Sequence, residues 1–306
     1  MPAMRPTRGF RLLAVATAIS AWVLVAVGGI VRVTESGLGC PDWPLCDGRV
    51  VPEGAKEPWI ETSHRWVAGI VTVLVALVAV WAWRRYRSRR DVFVPALTAA
   101  LLVPAQAMLG AIVVWLELPG WIVGVHFVVG MVFLAATVLT AGAAWRGGVG
   151  ATERFVRLAW WTTGVSFLLV ALGAAVVSAD ADHACGESWP DCNGAFAAGG
   201  GDAWLQVAHR SVAYVIAGLA VALAVQAYRG RGPRLAGTVP LAAVVLQISF
   251  GVSLVLAGEE SAAHEPLAML HVAGAGTVWA ALVGLAALVG APRLAGVPAF
   301  VPARAR

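Results

Sequence analysis

Eight stretches of this chain, approximately 12–32, 62–83, 92–116, 119–145, 156–179, 203–228, 235–258 and 264–291, run for about 20 residues or more with few charges. A helix that crosses the hydrocarbon of a bilayer needs that length, because every backbone polar group in lipid must be satisfied within the segment. Only 13% of the 306 residues are charged and 59% are hydrophobic, far from the roughly one quarter charged of a soluble domain. The expected fold class is therefore an all-α polytopic membrane protein. The first stretch follows an arginine-containing leader, as a signal peptide would. Its apolar run exceeds the roughly 7–15 residues of a signal core and no small-x-small cleavage site follows, so it reads as a span.

A net charge of +5 would suggest nucleic acid in a soluble chain. Here the basic residues mark one side of a membrane, and no nucleic-acid partner is expected. Arg5, Arg8 and Arg11 precede the first span, and Arg84, Arg85, Arg87, Arg89 and Arg90 follow the second. Arg146, Arg154 and Arg157 follow the fourth, Arg229, Arg231 and Arg234 the sixth, and Arg293, Arg304 and Arg306 the eighth. The positive-inside rule then puts these ends and both termini in the cytoplasm. Acids such as Glu35, Asp42, Glu117, Asp180, Glu187, Asp202 and Glu259 fill the opposite ends, which face outward.

Shifting the sequence on itself by 145 lays His64 on His209, Arg65 on Arg210, His126 on His271 and Cys40 on Cys185. One further residue brings Trp43-Pro44 onto Trp189-Pro190 and Cys46 onto Cys192, and a slightly smaller shift brings Gln106-x-x-x-Gly110 onto Gln247-x-x-x-Gly251. The chain reads as two tandem, pseudo-two-fold related four-helix bundles, 1–150 and 151–306, in the same membrane orientation because each holds an even number of spans. All four cysteines fall in outer loops, where disulfides persist. Their spacings favour two local closures, Cys40 to Cys46 and Cys185 to Cys192, as structural staples or as a thiol-exchange pair. Tryptophans gather at both ends of the spans, the expected interfacial belt.

Histidines at two identical separations carry the functional reading. His64 and His126, like His209 and His271, lie 62 residues apart near the outer starts of spans that run in the same direction. His126 follows Trp121 by five residues and His209 follows Trp204 by five, about 7–8 Å below the interface in each case. Two imidazoles at one depth can clasp a flat macrocycle from both faces, and a buried imidazole without a partner is costly. A helix-to-helix hydrogen bond is the rival reading of any single one. Zinc or copper lacks a third ligand at suitable spacing. Arg65 and Arg210 adjoin a histidine in each half and suit heme propionates, or snorkel to the interface. Glu61, one turn from His64, is replaced by Gln206 in the second half, so only the first half has a proton-exchanging group there. A helix-capping carboxylate is its alternative.

These residues resemble the heme A synthase family: eight spans, Glu-x-x-His-Arg at 61–65, histidines at 126, 209 and 271, and a cysteine pair in each large outer loop. The resemblance covers nearly the whole chain and is closest to the bacterial branch that has the cysteines. It implies an oxidoreductase of the plasma membrane that converts the ring-position-eight methyl of heme O into the formyl of heme A for terminal oxidase assembly. It further implies His64 and His126 as ligands of the substrate heme, His209 and His271 as axial ligands of a cofactor heme b, and Glu61 as the catalytic residue. The implied partners are heme O, the heme O synthase that supplies it, an electron acceptor, and further copies of the chain. Two other classes accommodate parts of the pattern. A di-heme b electron carrier explains the paired histidines but not the solitary Glu61, and a quinone-linked thiol oxidase explains the cysteines but not the histidines.

Overall fold

The computed structural model describes residues 5–146, 150–192, 194 and 200–290. Among them are eight helices long and apolar enough to cross a membrane. They are α1 (Arg8–Val33), α2 (Lys56–Tyr86), α3 (Arg90–Trp115), α4 (Gly120–Trp145), α5 (Glu153–Ser178), α6 (Gly201–Tyr228), α7 (Arg234–Ala257) and α8 (His264–Val289). This is the expected all-α, multi-pass membrane architecture. The largest boundary difference is at α2, which begins at Lys56 rather than near 62. Its first turn, with Glu57, is helical but too polar for hydrocarbon, and a carboxylate there is favoured by the helix dipole. Arg293, Arg304 and Arg306 lie outside the described residues.

The two halves start alike. Thr7 caps α1 by accepting the Phe10 amide proton, and Thr152 caps α5 by accepting that of Phe155, each at 3.3 Å. Phe10 and Phe155 are both fully buried beneath these caps. Prolines at 95 and 104 in α3 and at 240 in α7 sit inside helices, as lipid-embedded helices tolerate when neighbours re-satisfy the freed carbonyls.

Helix neighbours trace two circuits. In one, α1 packs on α2, α2 on α3, α3 on α4 and α4 on α1; in the other the same order joins α5, α6, α7 and α8. The histidine-bearing helices α2 and α4, and likewise α6 and α8, therefore stand diagonally across a circuit. The circuits meet through α4 with α8, α1 with α8 and α4 with α5. Close backbone approach makes that seam. A Cβ at Gly29 would fall 2.6 Å from Val272, and one at Gly142 2.5 Å from Ala287. Trp279 of α8 crosses the seam, donating its indole N–H to the Met131 carbonyl at 2.7 Å and packing against Phe167 at 5.6 Å.

Away from the seam the helices turn apolar side chains outward. On α2, Ile70, Val73 and Leu77 are 60%, 59% and 52% exposed while Val71, Val75 and Val78 are buried. Water does not tolerate such continuous apolar surface, whereas lipid does. Connections α1–α2, α3–α4, α5–α6 and α7–α8 share one end, which holds both disulfides. The other end is rich in arginine. There Asp91 binds Arg89 at 2.7 Å and also Arg146, tying the start of α3 to the end of α4.

The seam predicts a contrast between two tryptophans. Trp279→Ala removes a buried ring and its hydrogen bond and is expected to lower stability by about 3–5 kcal/mol. Trp161→Ala, at a site 71% exposed, should stay within about 0.5 kcal/mol. Thermal unfolding of the two variants in detergent measures the difference, and equal losses would contradict the seam.

Candidate functional site

Each histidine of interest lies within about two and a half turns of its helix start at the disulfide end: His64 on α2, His126 on α4, His209 on α6 and His271 on α8. His64 and His126 stand on the diagonally opposed helices of one circuit, and His209 and His271 on those of the other. Their depth follows from the helix starts, since all four helices enter from one end.

What spacing did not reveal is a glycine opposite every ring. Gly28 of α1 faces His64, Gly110 of α3 faces His126, Gly173 of α5 faces His209 and Gly251 of α7 faces His271. A Cβ on these glycines would lie 3.0, 3.6, 3.1 and 2.8 Å from the respective imidazole Cε1 atoms. His271 therefore occupies space that only a missing side chain leaves, while a Cβ would crowd His64 and His209 by a few tenths of an ångström. The signal was present in sequence, because Gly28 and Gly173 also differ by 145 and Gly110 and Gly251 belong to the Gln-x-x-x-Gly repeat. Which residue faces which ring depends on the register between helices.

The Nδ1 atoms of His64, His126 and His209 are buried without a hydrogen-bond partner, although each residue keeps intermediate exposure. The accessible edge is consequently the one that bears Nε2. An unpartnered imidazole edge in an apolar bundle costs free energy unless a ligand or proton acceptor engages the ring. Two imidazoles per circuit, on helices diagonally opposed, form a donor set of the kind that would hold a heme. On α3 and α7, Gln106 donates from Nε2 to the main-chain carbonyl of His126 at 3.1 Å, and Gln247 does the same to His271 at 2.9 Å.

Glu61 and Arg65 form a buried ion pair on α2, 6% and 13% exposed at their side chains. The second carboxylate oxygen of Glu61 accepts the Cys40 amide proton at 2.7 Å. Arg65 also donates to the main-chain carbonyls of Leu45 and of Asp42, the latter at 2.8 Å. The loop they bind is closed by the Cys40–Cys46 disulfide, and Cys40 Sγ touches Thr62 Oγ1 at 3.3 Å. Within that loop Asp42 accepts the amide protons of Asp47 and Gly48 at 2.6 and 2.9 Å. The Gly48 amide above all, with the Asp47 amide and the Arg65 charge, holds the Asp42 carboxyl below the usual carboxylate range despite an opposing desolvation effect.

The second half builds the same latch with other chemistry. Arg210 donates to the carbonyls of Ser188 and Asp191, and Gln206, 7% exposed, donates to the Asp182 carbonyl at 2.7 Å. Its loop is closed by Cys185–Cys192. Both arginines singled out for propionates are thus engaged with loop carbonyls, while Arg210 keeps a buried Nη2 with no partner. His183 pairs with Glu259 and Asp182, and His264 reaches the Gly258 carbonyl at 3.1 Å. Both lie at loops of the disulfide end, apart from the imidazole pairs.

Residues 11–283 match the family described as cytochrome oxidase assembly protein. The chain is similar to the heme A synthase of Lysinibacillus sphaericus, 31% identical over 225 residues that cover 70% of this chain and 73% of that protein. It is also similar to that of Shouchella clausii, 30% identical over 267 residues covering 81% and 87%. With the heme A synthase of Halalkalibacterium halodurans it shares 32% identity over 195 residues, 61% of this chain and 65% of that protein.

Two predictions follow from the seats and the loop. Gly251→Ala, whose new Cβ would press on His271, is expected to lose about 1–3 kcal/mol relative to Gly110→Ala, whose Cβ would sit 3.6 Å from His126 in ordinary contact. Thermal unfolding compares them, and indistinguishable variants would refute the seats. The depressed Asp42 pKa contributes loop stability above the unfolded aspartate value of about 3.9, and loses it as pH falls through the folded value. Accessibility of the Cys40–Cys46 bond to a phosphine reductant should therefore be flat from pH 7 to about 5 and rise only below about 4. A rise centred near pH 6 would point to another group.

Proposed function

Because the chain belongs to the heme A synthase family of cytochrome oxidase assembly proteins, we propose that it oxidises the ring-position-eight methyl of heme O to the formyl group of heme A. Counted against water as oxygen donor, that conversion takes four electrons from the methyl carbon and releases four protons, two from the methyl group and two from water. The chain is a membrane oxidoreductase, and its work divides between its halves. Residues 1–150 form the substrate half, with His64 and His126 as ligands of heme O. Residues 151–306 form the cofactor half, in which His209 and His271 would hold a resident heme b. That heme supplies one-electron redox chemistry when bound. The observation that carries the reading is a difference between otherwise matching sites: a buried carboxylate, Glu61, beside the first pair and an amide, Gln206, beside the second.

Glu61 lies one helical turn from His64 toward the disulfide end. Its carboxylate, held between the Arg65 guanidinium and the Cys40 amide, is an acceptor for protons released as the methyl carbon is oxidised. The amide of Gln206 has no such capacity. Arg65 and Arg210 hold the disulfide loops over the outer ends of the sites, and the unpartnered Nη2 of Arg210 is a donor suited to a propionate. The arginine-rich end faces the cytoplasm together with both termini, so the disulfide loops face the oxidising side of the plasma membrane. Partners on this reading are heme O synthase as supplier of substrate, an electron acceptor and further copies of the chain.

Glu61→Gln is expected to keep the spectrum of the resident heme while stopping or stalling oxidation of heme O. His209→Ala or His271→Ala should lose the resident pigment. Expression with a heme O source, followed by extraction and chromatography of the hemes, tests both. Two stoichiometric b hemes with no formyl product in the unmodified protein would favour the electron carrier and overturn the assignment.

A further inference from the structure

Gln106 and Gln247 are the side chains at the imidazole pairs that the oxidation itself does not use. Each projects from the helix next to a histidine-bearing helix and sits one turn before that histidine's seating glycine, Gly110 or Gly251. Each binds the main-chain carbonyl of the histidine rather than solvent, Gln106 that of His126 and Gln247 that of His271. Such close approach needs small neighbours. A Cβ at Gly130 would lie 2.9 Å from Gln106 Nε2, and Gly274 likewise leaves room beside Gln247.

Both glutamines leave their Oε1 buried with no partner. In the first half the Nδ1 of His126 is also buried and unpartnered. A strong acceptor and a ring nitrogen of the same contacting pair are therefore both orphaned. In the second half the Gln247 amide nitrogen is 3.1 Å from His271 Nδ1 and 3.4 Å from its Nε2. The amide oxygen and nitrogen share one plane and exchange places by a rotation about the last side-chain bond. A histidine that binds iron through Nε2 carries its remaining proton on Nδ1 and needs an acceptor there.

Resting on the heme reading above, we propose that Gln106 and Gln247 are positioning residues. Each presents Oε1 as the acceptor for the Nδ1 proton of its histidine, His126 or His271; at Gln247 the amide rotates to do so, and its NH2 group leaves the main-chain carbonyl it binds here. The amide then fixes both the tautomer and the tilt of one imidazole in each pair, with Nε2 directed to the metal. The other imidazoles, His64 and His209, have glycine seats but no side-chain partner at Nδ1. The two ligands of each pair are consequently unequal, one contacted by a side-chain amide and one seated only against a glycine-bearing helix.

An acceptor on Nδ1–H makes an imidazole more basic and favours ferric iron, so removing it raises the reduction potential. The experiment uses full-length protein purified with its resident heme and titrated by optical potentiometry, with electron paramagnetic resonance of the oxidised state. Gln247→Leu and Gln247→Met should both raise the midpoint potential and alter the low-spin signal. Gln247→Glu, which keeps an acceptor, should not raise it. Should the leucine variant fail to accumulate, the methionine variant tests the same direction. Unchanged potential and signal in the apolar variants, or a rise of equal size in Gln247→Glu, would overturn the positioning role. Failure of the underlying reading looks different: no bis-imidazole pigment in the unmodified protein, or a pigment that His271→Ala leaves intact, and that result overturns both.

Discussion

An imidazole inside an apolar helix bundle must take its hydrogen bonds from whatever the fold brings to it. Water is absent, and the surrounding leucines, valines and alanines offer nothing. Everything near His64, His126, His209 and His271 bears on this constraint. Glycines on the preceding helices let the rings lie against backbone, glutamines one turn away approach two of them, and three Nδ1 edges are left without a partner. A chain that only needed stable helices would place aliphatic residues at these depths. On the proposed function, the polar groups kept unsatisfied in such surroundings are those that a heme would engage.

The loops at the disulfide end depend on the same histidine-bearing helices. Arg65 and Arg210 each follow a histidine directly, so each side chain leaves its helix on a neighbouring face and reaches up to main-chain carbonyls of the loop above. The guanidinium fork can bind several carbonyls at once, which an ammonium point charge does less well. The disulfides shorten these loops to compact lids. Each loop is thereby hydrogen-bonded to the residue next to a histidine.

Much of this was legible in the amino-acid order. Apolar runs located all eight spans, and the starts of the even helices put the four histidines at one depth. Even the N-caps obey the repeat, since Thr7 and Thr152 are 145 residues apart, although nothing in the hydropathy pattern marks them as caps. The seating glycines were hidden because opposition between Gly28 and His64 is a matter of inter-helix register, which periodicity within one helix cannot supply. The destinations of the two arginines were hidden for a related reason. A lone basic residue at a membrane interface can serve a propionate, a carboxylate or a carbonyl, and only the path of the loop decides among them.

The exchange of Glu61 for Gln206 has a consequence beyond proton chemistry. A carboxylate only accepts hydrogen bonds, so the first loop must turn an amide N–H toward α2, and it does so with Cys40 itself. A carboxamide also donates, and Gln206 uses its NH2 group on the carbonyl of Asp182, three residues before the equivalent cysteine. Acceptor against N–H in one copy becomes donor against C=O in the other, and the two loops cannot follow the same backbone path at that contact. The one-residue difference between the Cys40–Cys46 and Cys185–Cys192 spacings is consistent with that inversion. Glu61 also brings a negative charge that must be compensated, and Arg65 does so by pairing with it while its counterpart Arg210 retains an unpaired Nη2. A single change of residue thus sets the charge, the loop path and the free donor capacity of each half, so two scaffolds of common design present unlike surroundings to whatever their imidazoles hold.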